Sequence, residues 1–323
     1  MASHPEHGRA GRAARSARLL LLALLALPAP SARAQQPAAA REVRLTLTVT
    51  NDKGQYIRGI EREHVEVFDG KAAREIRSFG PAEDHASVGV LFDISASMRE
   101  GRDKKLELVR QAFARFVRQA SPANEYFLRA FNKHQFELTD WARADVAARE
   151  ALDKITPATV TKHGDGGTAL YDACASALAK LAGGSHPRRV LLIFTDGGSD
   201  NHSRQVRHRD LKRMVRDSGA LLYAVAVIEK NDPAWLDVVG QADLDELVAA
   251  SGGRAYFTGG GRELSETVDR IAVELRHQYV VAFAAADAAK KGELNKVRVR
   301  IKPPPDYKSA LRVRNREGYL TPE

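Results

Sequence analysis

Two runs of consecutive apolar residues, 88–92 and 190–194, break off at or beside an aspartate, Asp93 and Asp196, and amphipathic helical patterns lie between them. A run without polar alternation is buried on both faces. A parallel sheet covered by helices on either side accommodates such strands, whereas a sheet with one wet face does not. Residues 126–131, 221–228, 255–257 and 279–283 read as further strands of this kind. Helical faces are marked by Leu106, Val109, Phe113, Phe116 and Val117, by 168–181, by 244–250, and by Leu264, Val268, Ile271 and Leu275. The expected fold is α/β: a doubly wound, mostly parallel, Rossmann-like sheet within residues 86–284.

Both flanks have a different character. Residues 43–49, 65–68 and 75–79 alternate or form short strands around the turn signals Asn51-Asp52-Lys53-Gly54 and Asp69-Gly70. Val297, Val299 and Ile301 alternate with lysines and arginines, and Leu311 and Val313 do the same. About fifty residues of such strands hold too little core to stand alone. The segment 35–85 is therefore expected to form a small β domain with the segment 285–323, the latter pairing with 41–80.

The first 34 residues have the order of a secretory signal peptide: arginines at 9–18, an unbroken apolar run at 19–27, and Ala32-Arg33-Ala34 as the cleavage site. The apolar run is short of the ~20 residues that span a bilayer. No cysteine follows it directly, which argues against a lipoprotein anchor. The mature chain is thus expected to be exported, periplasmic or secreted, with no membrane span. Of the formal charge of +9 over 323 residues, +4 belongs to this segment, leaving a moderate +5. The densest basic stretch, 204–216, alternates with apolar residues and Asp210 at helical spacing, the pattern of a solvated helix face rather than a nucleic-acid surface. Cys174, the only cysteine, shares a helical face with Leu170, Ala177, Leu178 and Leu181 and reads as a buried, inert thiol.

Ligands of open α/β sheets bind beyond the carboxyl ends of the strands. Asp93 and Asp196 stand at two such ends. Ser95 and Ser97 follow Asp93 directly, and Thr168 follows the loop Gly164-Asp165-Gly166-Gly167. Two carboxylates and three hydroxyls form an all-oxygen set that suits a hard cation, Mg²⁺ first, with Mn²⁺ or Ca²⁺ as alternatives; calcium usually takes more carboxylates. Uncharged hydroxyls leave such an ion under-neutralised and able to attract an outside anion. Each residue also has a plain structural reading: Ser97 or Thr168 as a helix cap, Asp196-Gly197 as a turn.

The segments Asp93-Ile94-Ser95-Ala96-Ser97-Met98, Gly166-Gly167-Thr168-Ala169-Leu170-Tyr171-Asp172 and Phe194-Thr195-Asp196-Gly197 resemble the three parts of the metal-ion-dependent adhesion site (MIDAS) of von Willebrand factor A domains. The chain from Val43 to Leu320 is similar to the VWFA-related family described from acidobacterial genomes. The resemblance implies that Ser95, Ser97 and Thr168 contact the ion, that Asp93 and Asp196 do so directly or through water, and that a partner's carboxylate completes the shell. Two departures are Ala96, where glycine is usual, and a longer loop, Gly197-Gly198-Ser199-Asp200-Asn201.

The leading expectation is a binding module without enzymatic activity, one that holds a protein partner through its Asp or Glu. A structural envelope scaffold with a stabilising metal is the first alternative. A metal-assisted hydrolase is the second, and it needs a base such as His163 or His202. No HExxH, Gly-x-Ser-x-Gly or Walker A string is present.

Overall fold

In the computed structural model the described residues are 41–98, 105–156, 167–198, 200, 202–228, 237–285, 292–304, 307 and 310–321. The signal-peptide segment, His163 and the loop 164–166 lie outside them. In chain order the strands begin with β1 (Glu42–Thr50), β2 (Val65–Asp69), β3 (Ala72–Arg74), β4 (Ile76–Pro81) and β5 (Ser87–Asp93). Helix α1 (Lys105–Gln119) leads to β6 (Glu125–Phe131) and β7 (Gln135–Arg143), then α2 (Ala144–Lys154) and α3 (Leu170–Leu181). Next come β8 (Arg189–Thr195), α4 (His208–Ser218), β9 (Leu221–Val227), α5 (Val238–Ala250), β10 (Arg254–Thr258) and α6 (Gly261–Leu275). Strands β11 (Gln278–Ala284), β12 (Leu294–Ile301), β13 (Arg312–Arg314) and β14 (Gly318–Leu320) complete the order.

The apolar runs build a six-stranded sheet in the order β10-β9-β8-β5-β6-β7, parallel except for β7. Every residue of β5 and of β9 is buried, as two-sided cover requires. Val88, Val90 and Phe92 pack with α1 and α6 on one face. Leu91, Leu191 and Ile193 pack with α3, α4 and α5 on the other. Cys174 is buried in that second layer, and burial pushes its thiol well above its ordinary range. On α4 only Leu211 and Val215 are buried, and Arg209 and Arg213 lie on its solvated face.

Two four-stranded antiparallel sheets, β13-β1-β11-β4 and β14-β12-β2-β3, draw their strands from both ends of the described chain. Their inner faces share one core, including Leu45, Leu47, Val67, Val281, Phe283, Val299 and Tyr319. Among their pairings, β12 runs against β2, with Val299 opposite Val67, and β13 against β1, with Val313 opposite Val49.

Two features depart from the sequence expectation. The apolar strand at 279–283 lies not in the parallel sheet but between β1 and β4, antiparallel to both. Periodicity reports that a strand is buried on both faces, not what buries it, and the middle of a covered antiparallel sheet meets the same condition. The second is the pair β7 and α2, which sequence patterning had passed over. As an edge strand, β7 has one largely wet face, and its mixed burial weakens the apolar signal.

Candidate metal centre

Asp93 is the last residue of β5, and Asp196 directly follows β8. These strands are neighbours, yet the chain leaves them in opposite directions, from β5 toward β6 and from β8 toward β9. The carboxyl edge between them is the switch point at which open α/β sheets bind ligands.

Beyond Asp93 the chain turns through a 3-10 helix, Ala96–Met98, and Ser95 Oγ comes to 3.1 Å from Ser97 Oγ. That turn is right-handed, so alanine sits at position 96 without the strain that a left-handed site would impose. Asp93 Oδ1 accepts the Ser95 N–H at 2.8 Å, and Oδ2 accepts the Thr195 hydroxyl at 2.9 Å. Thr195 Oγ1 accepts in turn from the Gly197 N–H at 3.3 Å, and Asp196 Oδ1 from the Gly198 N–H at 3.1 Å. Gly197 has φ 78°, and a Cβ there would lie 3.1 Å from Ile228 Cδ1 and 3.2 Å from Ala226 Cβ. Glycine alone fits both conditions.

Thr168 lies two residues before α3. Ala169 holds the cap position without a side-chain bond, and the first-turn N–H groups of Tyr171 and Asp172 are taken by Asp200 and by the Ser203 hydroxyl. The segment is tied by the Ala169 N–H to Asn132 O at 2.9 Å and by the His202 N–H to Thr168 O at 3.1 Å. Asn132 follows Phe131, the partner of Asp93 across the sheet, so Thr168 reaches the same edge. All five residues singled out from the sequence therefore stand along one edge, on segments following β5 and β8 and preceding α3.

Two further acids shape this edge without having been assigned a role from the sequence. Asp172 accepts the N–H groups of Arg204 at 3.0 Å, Gln205 at 3.1 Å and Val206 at 2.8 Å. Asp200 accepts from Tyr171 N at 2.8 Å and from Ser203 N and Oγ at 2.9 and 2.6 Å. Together they fasten the loop after β8 to the start of α3. The available signal was Asp172 itself, an acid in the first turn of a helix beside a loop of small polar residues.

The electrostatics favour a cation. Asp93 is fully buried and Asp196 nearly so. Neither forms an ion pair with lysine or arginine among the described residues. Burial, and then the negative charge of Asp196, push the Asp93 carboxyl up from its ordinary 3.8 to about 7, against the hydrogen bonds from Ser95 and Thr195. Two buried like charges without a counter-charge are a costly arrangement that a hard divalent ion relieves, and the hydroxyls supply matching oxygen donors. The donor set thus fits Mg²⁺, Mn²⁺ or Ca²⁺. One other cluster, His208, Asp243 and Glu246, gathers possible ligand atoms within 4.8 Å among the described residues. Its acids are already engaged, Glu246 by Lys212 and Asp243 by the Tyr171 hydroxyl at 2.9 Å.

No curated protein matches the chain in sequence. Among solved structures, an aerotolerance-related membrane protein from Bacteroides fragilis aligns at 17% identity over 59% of this chain and 98% of its own, with a TM-score of 0.46. Proximal thread matrix protein 1 from the mussel byssus, in a form with a zinc-occupied MIDAS motif, aligns at 17% identity over 63% of this chain and 48% of its own, with a TM-score of 0.49. A von Willebrand factor type A protein from Catenulispora acidiphila covers 90% of this chain and 75% of its own at 13% identity, with a TM-score of 0.45. Among the described residues no helix is long and apolar enough to cross a membrane. The model of the von Willebrand factor type A domain matches residues 87–270, which run from the first residue of β5 into α6 and enclose the whole acidic edge. The chain belongs to the von Willebrand factor type A domain family, whose members commonly carry a metal-binding MIDAS and mediate protein–protein interaction.

Proposed function

We propose that the chain is an exported, metal-dependent protein-binding module. In this reading Asp93, Ser95, Ser97, Thr168 and Asp196 hold one divalent cation, Mg²⁺ before Mn²⁺ or Ca²⁺, and an Asp or Glu of the partner completes its shell. The supporting observation is the pair of buried carboxylates at the switch point, without a basic partner among the described residues and with the Ser95 and Ser97 hydroxyls 3.1 Å apart beside them. Three neutral hydroxyls leave a divalent ion electron-poor, and an acidic side chain is the natural outside ligand. Export rests on the basic, apolar and cleavage order of residues 1–34.

The test is a pull-down from the envelope fraction, run with and without chelator, alongside calorimetric titration with Mg²⁺ and Mn²⁺. Partner capture is expected to disappear in chelator and in Asp93→Ala and Thr168→Ala while the fold persists. Capture that survives excess chelator overturns the reading. If chelation lowers the melting temperature yet leaves binding intact, the structural scaffold takes its place. Metal-dependent turnover lost in His202→Ala would instead favour the hydrolase, since the His202 main chain already sits on Thr168.

A further inference from the structure

At the opposite edge of the parallel sheet, beside the first residues of β8 and β9, a cavity of about 600 Å³ opens against β1, β4 and β11. Six arginines line it, Arg41, Arg44, Arg188, Arg189, Arg216 and Arg316, against three acids, Glu42, Glu83 and Asp217. Arg44 is paired with Glu42 at 2.7 Å and Arg216 with Glu317 at 3.0 Å. The other four form no ion pair among the described residues.

Those four donate to uncharged oxygens. Arg316 gives its hydrogen bonds to the main-chain oxygens of Arg216 at 3.1 Å and Arg44 at 2.9 Å. Arg41 donates to Leu320 O at 2.9 Å, Arg189 to Ala182 O at 3.1 Å, and Arg188 to the carbonyls of Glu83 and Leu275 and to the Gln278 side chain. The Nε atoms of Arg188, Arg189, Arg216 and Arg316 are buried without a hydrogen-bond partner. Burial, and then the positive charge of Arg41, lower the Arg316 guanidinium to about 10 against the negative charge of Asp217, so it stays charged at neutral pH. A purely structural clamp would explain the bonds to carbonyls. It gives no reason to gather four guanidinium groups without an ion pair around one cavity, an excess of positive charge that an anion would offset.

We propose that this cavity binds a small organic oxyanion, its carboxylate or phosphate group taken by Arg41 and Arg316 and its body resting on the apolar wall that includes Phe79 and Pro81. The guanidinium fork matches both oxyanions in two-point contact. The site is independent of the metal edge, which lies beyond the other ends of the same strands.

Calorimetric titration of the metal-free protein with citrate and with inorganic pyrophosphate, at low ionic strength, tests it and separates the carboxylate from the phosphate source. At least one probe is expected to bind saturably at one site per chain. Arg41→Ala, at an exposed position where folding is safe, is expected to weaken that binding about tenfold, Arg41→Lys less so, the loss of one charge-assisted contact. Asp93→Ala is expected to leave it unchanged. The proposal is overturned if neither probe saturates, or if Arg41→Ala binds as well as the parent protein.

Discussion

Among the described residues the molecule buries carboxylates in two places and treats them in opposite ways. Glu274, in the last turn of α6, is almost fully buried where the parallel sheet meets the antiparallel ones. It is ion-paired with Arg314 and accepts from Tyr223 at 2.5 Å, Tyr56 at 3.2 Å, Thr48 at 3.3 Å and Gln278 at 3.4 Å. Its charge is answered within the chain. Asp93 and Asp196 are equally buried, yet among the described residues they accept from a hydroxyl and from main-chain N–H groups. The first arrangement is closed and structural. The second is open, and the proposed cation would complete it.

The sharpest way to break this contrast is to remove Glu274. Glu274→Leu leaves the Arg314 guanidinium buried and unpaired, and the loss is expected to be about 3–5 kcal/mol in chemical denaturation. A loss below ~1 kcal/mol would place Glu274 with ordinary exposed pairs and dissolve the comparison. Asp93→Ala should behave differently: divalent-ion affinity falls beyond calorimetric detection, while stability without metal stays within about 1 kcal/mol of the parent or rises, because a repulsive buried charge is gone.

The same repulsion sets a pH dependence. Asp93 holds its proton more tightly in the folded chain than in the unfolded one, so stability without metal is greatest below pH 3.8 as far as this group is concerned. It is expected to fall as pH rises toward about 7. Saturating Mg²⁺ should remove that decline, and thermal melts across pH 4–8 with and without the ion would read it. A metal-free profile that rises with pH through this window would mean that the carboxylates are already compensated.

Smaller effects sharpen the geometry. Gly197→Ala adds a Cβ against Ile228 and Ala226 at positive φ, and it is expected to cost about 1–2 kcal/mol and to weaken metal binding, both measurable on one purified variant. Ala96→Gly, which restores the residue usual at that position of the motif, should change stability by less than about 1 kcal/mol and leave ion affinity unaltered, since the turn is right-handed already. An affinity gain there would show that the turn rearranges on binding.

Much of the candidate site was legible because strand ends are. Asp93 closes an uninterrupted apolar run, Asp196 nearly does, and the hydroxyls of Ser95 and Ser97 follow within four residues of the first. Thr168 needed the motif as a whole, for by itself it read better as a cap. Less legible were Thr195, whose side chain steadies Asp93 from a position 102 residues away, and Asp172 and Asp200, which pin the loop. Beyond the first-turn position of Asp172, nothing local marks these side chains, because their partners lie on distant segments.

The chain's own periodicity determined which segments are buried on two faces and which on one, and so separated an α/β centre from β flanks. Tertiary structure decided which neighbour does the burying. It sent β11 to the antiparallel sheet, gave β7 an edge, and brought Thr48 to Glu274 across 226 residues. The physical reason is that apolar pattern encodes removal from water, a property of each residue, whereas pairing and charge compensation are properties of two residues that only the folded chain brings together.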